Sequence, residues 1–298
     1  MFRINICPIK NICIFTVIAA GIFLSSGCST WDNGKNVGSF GLIIGIDDYA
    51  DPRIPDLDYC VSDADGVYSS LLEAGWNALD ITVLKNADAT KASILSAVQA
   101  IVQEASAGDY VLVYYSGHGS AVWDASGDEL DGVDEVIVPR DANLYDSASF
   151  LSDDELYTVL AECKTEKGVF FFDSCNSGGF INSPFTSRPD GLLRPRFIGA
   201  GEGTRSGTSG DLDLLNFPVI SASAADEDSY EDPALGHGVF TYYVLEGLRD
   251  LYADQDEDGF VTVRELYDYA SARVRVYTLY QNPQMRYTRE LLDILVTR

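Results

Sequence analysis

The chain has 298 residues, 20 Lys and Arg against 46 Asp and Glu, and a formal charge of −26. Such an acidic surface repels phosphate and gains nothing from counterion release, which excludes nucleic acid as a default partner. Because 46% of the residues are hydrophobic, the chain can bury a sizeable core, which excludes wholesale disorder and favours one large domain.

The N-terminus has the pattern of an export signal. Residues 1–27 hold two basic residues and an apolar run at 12–23, too short for the roughly 20 residues of a spanning helix, so they predict a signal peptide. The following Leu-Ser-Ser-Gly-Cys resembles a bacterial lipobox, which implies lipidation of Cys28 and a membrane anchor. Ser29, rather than Asp, follows Cys28. By resemblance to Gram-negative lipoproteins, this favours the outer membrane, facing the periplasm, over retention in the inner membrane. An ordinary cleaved signal and an uncleaved anchor are the alternatives.

Short β-rich apolar runs then alternate with helical patterns. Residues 28–38 are polar and predict a tether. The predicted strands are 40–46, 81–84, 110–115, 169–172 and 217–221, and the predicted helices are 62–74, 91–105, 153–163 and 238–251. Thr90 and Ser152 are expected to cap two of these helices. Strand and helix in alternation predict an α/β fold with a mostly parallel central sheet flanked by helices.

Two regions interrupt this alternation. Residues 124–135 are half acidic, and residues 182–213 are rich in Gly, Ser, Thr, Pro and Arg without periodicity, as a long functional loop would be. We therefore divide the domain at 39–298 into a larger part, 39–181, a linker loop, 182–213, and a smaller part, 214–298.

The catalytic candidates stand at two strand ends. The chain has two histidines, and one of them, His118, follows a predicted strand between Gly117 and Gly119; Cys175 follows another strand in the same way. Such ends share one edge of a parallel sheet, where an imidazole can take the proton of a thiol and later protonate a leaving amine. The amides of Gly117 and Cys175 are expected to bind the oxyanion. Taken singly, a turn histidine and a packed cysteine are the alternatives.

The motifs Ser-Gly-His-Gly and Asp-Ser-Cys-Asn-Ser-Gly together resemble the caspase and metacaspase superfamily, peptidase family C14 of clan CD, on the bacterial metacaspase-like side. The resemblance runs from about residue 40 to about residue 285. It implies a caspase-like (caspase-hemoglobinase) fold and a cysteine endopeptidase with His118 as general base and acid and Cys175 as nucleophile. The Gln-Ala-Cys-x-Gly signature is absent, which places the chain outside the animal caspases.

Resemblance to metacaspases also implies a primary specificity pocket lined by Cys60, Asp63, Ser116 and Asp173. Glu231 follows an aromatic residue roughly where caspases carry a substrate-binding arginine, so the charge is inverted. Carboxylates in a partly desolvated pocket favour a guanidinium or ammonium group, which predicts cleavage after Arg or Lys. The alternative is that Asp63 and Asp173 are helix-capping and strand-end acids that backbone amides satisfy.

The linker loop offers sites for cleavage by the protein itself. Its basic residues lie between Cys175 and the strand at 217–221, where related enzymes are often processed. The candidate autocleavage sites are Arg188, Arg194, Arg196 and Arg205.

Residues 254–265 match an EF-hand calcium loop between two predicted helices, 239–251 and 263–275. Gly259 takes the turn position of the motif, and Val261 takes its apolar position. The alternative is a solvated acidic turn. A second acidic stretch, 124–135, resembles the region near which metacaspases bind an activating calcium ion, with a solvated hairpin loop as the alternative. The predicted ligands of the EF-hand loop are Asp254, Asp256, Asp258, the Phe260 carbonyl, Thr262 and Glu265.

These patterns predict a calcium-dependent, lipid-anchored cysteine endopeptidase whose partners are peptides with a basic P1 residue and a membrane, with calcium as its one cofactor. His237 is interpreted as a turn residue without chemistry. One alternative function is a caspase-fold lipoprotein that serves as a calcium-binding scaffold or binding module. Another is a related Cys and His enzyme with a different P1 preference or transpeptidase activity.

Overall fold

The structure, a computed structural model, describes residues 30–32, 35–123, 133–174, 194–195, 217–224 and 227–286. The strands of these residues are β1 Thr30–Asp32, β2 Lys35–Val37, β3 Ser39–Gly45, β4 Ile81–Lys85, β5 Tyr110–Ser116, β6 Gly119–Trp123, β7 Val133–Ile137, β8 Leu151–Ser152, β9 Lys167–Asp173, β10 Arg194–Pro195, β11 Val219–Ser221, β12 Tyr230–Asp232, β13 His237–Gly238 and β14 Gln284–Arg286. The α-helices are α1 Cys60–Glu73, α2 Lys91–Glu104, α3 Asp153–Leu160, α4 Val239–Leu248 and α5 Val263–Thr278. Single 3-10 turns span Ala78–Asp80, Asn86–Asp88, Ser147–Ser149 and Arg249–Leu251.

Six strands form the central sheet in the order β14, β11, β9, β5, β3, β4. Neighbours from β4 to β11 run parallel, and β14 lies antiparallel at one edge. Helices α1, α2 and α3 lie in the connections between the parallel strands from β3 to β9, as parallel pairing requires. The predicted α/β fold with a mostly parallel sheet is therefore confirmed.

The predicted elements match the observed ones closely. Each of the five predicted strands is present, with ends that shift by one or two residues. Thr90 accepts a hydrogen bond from the Ser93 amide, and Ser152 forms a capping box with Glu155, so both predicted caps are confirmed. The predicted helix at 238–251 is α4 followed by the 3-10 turn Arg249–Leu251, because Asp250 adopts a left-handed conformation with φ of 50°.

The sheet is buried on both faces, and side chains alternate between them. Along β5, Val111, Val113 and Tyr115 join the core under α2 and α3, while Leu112 and Tyr114 join the core under α1, α4 and α5. All seven residues of β5 are buried. Each large apolar side chain buried in this way contributes about 1.5–3 kcal/mol.

Close packing brings α1 onto the end of β3. A Cβ at Gly45, the last residue of β3, would lie 2.4 Å from the carbonyl oxygen of Cys60 and 2.8 Å from the Cβ of Ala64. Because that contact involves backbone, a larger residue would push the helix away from the sheet. Gly45 therefore sets the position of the first turn of α1, which carries Asp63.

Smaller sheets surround the central one. Strands β6 and β7 pair antiparallel. Residues 124–132 between them lie outside the described residues, so both interpretations of that acidic stretch stay open. Strands β1 and β2 pair within the predicted tether, with Asp32 opposite Lys35; an Asn-Gly dipeptide at 33–34 favours such hairpins. In the described part of the chain, every helix is too short or too polar to cross a bilayer. Residues 1–29, including Cys28, lie outside the described residues.

Candidate active site

The carboxyl ends of β3, β5 and β9 lie side by side at one edge of the central sheet. Gly45 is opposite Ser116, and Ser116 is opposite Asp173. Strand β4 lies on one side of β3 and β5 lies on the other, so the strand order reverses at this point. Ligands of open α/β sheets bind in the crevice at such a reversal. This edge of the sheet, where His118 follows the end of β5, is therefore the candidate active site.

The backbone of His118 is held on both sides. Its N–H donates to the Tyr49 hydroxyl at 2.9 Å, and its carbonyl accepts from the Tyr115 hydroxyl at 2.7 Å and from the Val138 N–H at 3.1 Å. A Cβ at Gly117 would lie 2.5 Å from the Tyr115 oxygen. Gly117 is therefore needed for this close approach, which fixes the backbone of the candidate base.

The imidazole of His118 is buried and has a defined tautomer. Its Nε2 lies 2.8 Å from the carbonyl oxygen of Pro55. Because a carbonyl oxygen only accepts, Nε2 carries the proton and Nδ1 carries the lone pair of the neutral ring. The Tyr49 ring packs 5.0 Å from the imidazole, and burial raises the pKa of its hydroxyl, which stays neutral. The nitrogen able to act as a base is therefore Nδ1.

Tyr49 and Pro55, which contact the His118 ring, belong to residues 46–59, the β3–α1 loop. Asp51 braces this loop: its carboxylate accepts from the Arg53 guanidinium at 2.6 and 2.7 Å and from the Leu144 N–H at 3.1 Å. The hydrogen bonds from Arg53 hold the pKa of Asp51 well below its usual range. Arg53 also lies 3.8 Å above the ring of Tyr145. The brace ties the Pro55 carbonyl to the body of the domain.

The second predicted catalytic residue, Cys175, lies outside the described residues. The chain is described as far as Ser174, which is buried directly after β9. His118 and Cys175 each follow one member of the paired residues Ser116 and Asp173 by two positions in the sequence. The Gly117 N–H, a predicted oxyanion donor, donates a long 3.4 Å bond to the Asp173 carbonyl. Its role in catalysis, like that of the Cys175 amide, stays a prediction.

Three of the predicted pocket residues meet at this edge, and Asp63 is the centre of the group. Its Oδ2 accepts from the Ser116 hydroxyl at 2.9 Å. Its Oδ1 accepts from the Gly238 N–H at 3.0 Å and lies 2.9 Å from Nδ1 of His237. The Asp63 carboxylate thus joins α1 to β5 and to β13.

Asp173 is bound in a similar way. Its Oδ1 accepts from the Ser229 hydroxyl at 2.8 Å, and its Oδ2 accepts from the Thr241 N–H at 3.1 Å and the Thr241 hydroxyl at 2.5 Å. Gly238 is the N-cap of α4, and Thr241 lies in its first turn, so Asp63 and Asp173 bind amides at the same helix N-terminus. Carboxylates are stabilised there because the helix end carries partial positive charge. This is the capping role of the alternative interpretation.

The remaining predicted pocket residues, Cys60 and Glu231, lie near the start of α1. The Glu231 carboxylate accepts from the N–H groups of Asp58 at 3.1 Å and Tyr59 at 3.3 Å, and Asp47 accepts from the Cys60 N–H at 2.6 Å. Cys60 is a buried thiol and forms no disulfide with Cys163. All five predicted pocket side chains are fully buried. Their contact with substrate stays a prediction.

Residues 254–265 form a compact turn before α5. Carboxylate oxygens of Asp254, Asp256 and Glu265 lie within 4.8 Å of one another. Gly259 has a φ of +89°, and its N–H donates to Asp254 at 2.9 Å, so the chain turns where the motif requires glycine. Asp258 is exposed and accepts from the Phe260 N–H at 3.0 Å.

Glu265 also closes a capping box with Thr262 at the start of α5. Burial raises the pKa of Glu265, but hydrogen bonds from the Thr262 and Gln255 backbones outweigh it, so the net pKa lies below the usual value. Glu265 is therefore ionised at neutral pH and suited to a cation.

The linker loop is described only at β10. Arg194 lies there opposite Glu231 of β12 in an antiparallel pair. The other autocleavage candidates, Arg188, Arg196 and Arg205, lie outside the described residues.

Sequence reasoning missed Tyr49, Pro55 and His237. Tyr49 and the Pro55 carbonyl touch His118 across 69 and 63 residues, and His237 touches Asp63 across 174 residues. The sequence around Tyr49 and Pro55 has no periodic pattern that predicts these contacts. For His237 a signal existed, because the chain has only two histidines.

Comparison with known proteins places this chain in a family. The model of the caspase domain family, Peptidase_C14, matches residues 39–292. Metacaspase-1 of Ajellomyces capsulatus is 27% identical over 279 residues, which cover 86% of this chain and 76% of that protein. Metacaspase-1 of Kluyveromyces lactis is 32% identical over 163 residues, which cover 51% of this chain and 36% of that protein. In the Kluyveromyces lactis relative, the aligned region is thus about a third of the length of the protein.

Solved structures share the fold. A protein from Geobacter sulfurreducens superposes with a TM-score of 0.62 at 22% identity, covering 85% of this chain and 95% of that one. Caspase-1 from Spodoptera frugiperda superposes with a TM-score of 0.55 at 15% identity, covering 87% and 90%. The expected caspase-like fold is therefore confirmed.

Proposed function

The chain belongs to the caspase-domain family of cysteine peptidases, and on that premise we propose that it hydrolyses peptide bonds with a dyad of Cys175 and His118. One observation carries the proposal. His118 has its basic nitrogen fixed by the Pro55 carbonyl, and it follows a strand whose parallel neighbour leads to Cys175. A base and a nucleophile at adjacent strand ends are what attack on a carbonyl requires.

In the proposed reaction, Nδ1 of His118 accepts the thiol proton of Cys175, and the sulfur attacks the scissile carbonyl carbon. The Pro55 carbonyl accepts a hydrogen bond from the Nε2–H group throughout the reaction and so stabilises the imidazolium. The imidazolium protonates the leaving amine as the C–N bond breaks, and His118 then takes a proton from the water that hydrolyses the thioester. The amides of Cys175 and Gly117 are the proposed oxyanion donors, and Gly117 would exchange its 3.4 Å bond to Asp173 for this role.

The proposed P1 residue is Arg or Lys. Its support is the pair of carboxylates, Asp63 and Asp173, that bind the N-terminus of α4 on either side of Ser116. Two acids in a region of low dielectric favour a cation and penalise an acidic side chain. Because both are fully buried, the P1 side chain must displace covering groups to reach them. Cys60 and Glu231 complete the proposed pocket.

Peptides that differ only at P1 test this function. We expect cleavage after Arg and Lys and none after Asp, with no cleavage by Cys175→Ala, which serves as the matched control. Preference for Asp would refute the basic-pocket proposal. Equal cleavage by wild type and Cys175→Ala would refute the dyad.

Calcium is proposed to bind at residues 254–265. Carboxylates, the Phe260 carbonyl and the Thr262 hydroxyl are the oxygen ligands that calcium prefers, and three of the acids already converge. Bound calcium would lower the repulsion among these acids and fix the start of α5. Near the other end of α5, the Tyr277 hydroxyl donates to Asp232, the register partner of His237, so one helix joins the loop to the pocket region.

Calorimetric titration of Asp254→Ala combined with Glu265→Ala tests the calcium site. We expect the tightest binding event to disappear. Activity that still depends on calcium in this variant would come from a second site, for which residues 124–135 are the candidate. Unchanged binding would refute the loop as a site.

Autocleavage is proposed in the linker loop. Pro189 follows Arg188 and Pro195 follows Arg194, so at both bonds the leaving group is a conformationally fixed secondary amine. Arg196 and Arg205 are therefore the favoured sites. With calcium, wild type should yield fragments whose new termini map to one or both of these bonds, while Cys175→Ala stays intact. Identical intact bands would refute the proposal.

Attachment to the bacterial cell envelope is also proposed, through a lipid on Cys28 in the outer membrane. Its support is the lipobox-like sequence that ends at this residue. Labelling with a fatty acid should mark wild type and not Cys28→Ala. A labelled Cys28→Ala protein would refute this anchor.

A further inference from the structure

His237 has a contact that the proposed reaction does not use. Its Nδ1 lies 2.9 Å from Oδ1 of Asp63, a fully buried carboxylate. The next residue, Gly238, donates its N–H to both oxygens of the same carboxylate, at 3.0 and 3.3 Å. Because a carboxylate only accepts, Nδ1 of His237 carries a proton and donates it.

The position of the His237 ring is set by its neighbours. In the antiparallel pair of β12 and β13, His237 is opposite Asp232 and Gly238 is opposite Glu231. The ring of Tyr242 lies 6.4 Å away. A Cβ at Gly66 of α1 would lie 3.6 Å from Cε1 of His237. The ring is therefore packed between α1 and α4.

The remaining edge of the ring is accessible. The His237 side chain is 23% exposed and borders a cavity of about 290 Å³ between α1 and the end of α4. Glu73, Leu245 and Arg249 also line this cavity. A change at His237 thus has room to be accommodated, while its effect on Asp63 is direct.

A fixed carboxylate plane matters more for one basic residue than for the other. Guanidinium is planar and pairs with a carboxylate through two parallel hydrogen bonds, whereas ammonium acts as a point charge with rotatable donors. Ser116 and Gly238 bind Asp63 from two directions, and His237 adds a third donor on Oδ1. Without the donor from His237, fewer hydrogen bonds hold the plane of the carboxylate.

We propose that His237 is a positioning residue that orients Asp63 for P1 arginine and so sets the preference for Arg over Lys. This inference rests on the proposed P1 pocket. Without the Nδ1 donor, the P1 guanidinium is expected to lose one of its two parallel hydrogen bonds to Asp63, which would raise KM for a P1 Arg peptide about 10-fold. KM for the matched Lys peptide and kcat for both should change about 2-fold or less, because the dyad is untouched.

Three variants separate orientation from packing. H237N keeps an amide donor near the position of Nδ1 and should retain the Arg preference. H237L removes the donor, and H237Q moves it outward toward the position of Nε2, so both should lose the preference. E73Q, which changes a side chain in the same cavity, is the control. If H237L fails to fold, H237Q carries the test.

Each variant is measured twice, for cleavage of the Arg and Lys peptides and, combined with Cys175→Ala, for binding of the same peptides by titration. Loss of the Arg preference in H237L and H237Q, with retention in H237N, supports the inference. If the chain proves inactive, the binding measurements alone show whether the preference is lost. Inactivity would refute only the peptidase proposal. Unchanged preference in H237L and H237Q overturns the inference while cleavage by wild type still supports the peptidase. Equal binding of the Arg and Lys peptides by Cys175→Ala with His237 unchanged also overturns the inference.

Discussion

Two acidic regions of this chain differ in what surrounds their carboxylates. Asp63 and Asp173 are fully buried, and hydroxyls, amides and an imidazole bind them from several elements. Asp254 and Asp256 lie in a partly exposed turn, where oxygens of two aspartates and Glu265 approach one another within 4.8 Å. The first arrangement holds helices to a sheet, and the second gathers charge that a cation would stabilise.

The contrast teaches that the formal charge of −26 has no single meaning. A buried carboxylate is stable when directional donors replace its hydration, and it then becomes part of the fold. Converging carboxylates repel one another until a cation binds. Acidic residues are therefore expected to stabilise the fold and set specificity at Asp63 and Asp173, and to bind a metal ion at residues 254–265.

The largest effect should come from the sheet edge that holds His118, the proposed catalytic base. His118→Ala removes the proposed base, and we expect kcat to fall by about 10²–10⁴-fold. Calcium binding at residues 254–265 should not change, because His118 is not one of the proposed calcium ligands. Tyr49→Phe, which keeps the ring and loses the hydroxyl that accepts from the His118 N–H, is the matched control and should lose less. A calcium affinity that falls with kcat in His118→Ala would mean that the two regions are not separate.

The next largest effect is on the free energy of unfolding, when one acid from each region is replaced. Asp63→Asn converts an acceptor of several hydrogen bonds into an amide and should lower the free energy of unfolding by about 1–3 kcal/mol. Asp256→Asn in the exposed turn should stay within about 0.5 kcal/mol when calcium is absent. Urea denaturation with EDTA measures both. Equal losses would contradict the distinction between structural and convergent acids.

The third effect depends on added calcium. Wild type should gain about 2.7 kcal/mol of stability at a calcium concentration 100 times Kd. Glu265→Gln should gain much less, since it loses a charge that the cation would bind. Thermal unfolding with and without calcium measures the gain, and magnesium at equal concentration is the control. The same gain in Glu265→Gln would remove this residue from the site.

The smallest effect concerns Asp51, the brace of the β3–α1 loop. Its pKa in the folded chain is lowered, so its ion pair with Arg53 stabilises the fold above the unfolded pKa of about 3.9 and loses that contribution as pH falls. Wild type should therefore be more stable than Asp51→Asn at pH 7, and the difference should shrink below about pH 4. A difference that grows toward acid pH would have the wrong sign.

Much of the fold was predictable because it depends on local pattern. The strand at 110–115 and the helix at 91–105 follow from apolar spacing and caps, and glycines on both sides marked His118 as a strand-end candidate. The groups that complete the site were not predictable in this way. Contacts such as Glu231 to Asp58 join residues 173 apart, and they depend on how irregular loops cross the sheet edge. The resemblance implied that Asp63 lines the pocket, but the sequence did not predict its hydrogen bonds to the N-terminus of α4, which lies 175 residues away.

The most direct test of the account is labelling with an electrophilic peptide that carries a P1 arginine, followed by mass spectrometry of the modified peptide. We expect a label on Cys175 in wild type, stronger with calcium, and none in Cys175→Ala or His118→Ala. A label on Cys60 or Cys163, or equal labelling of the His118→Ala protein, would contradict it.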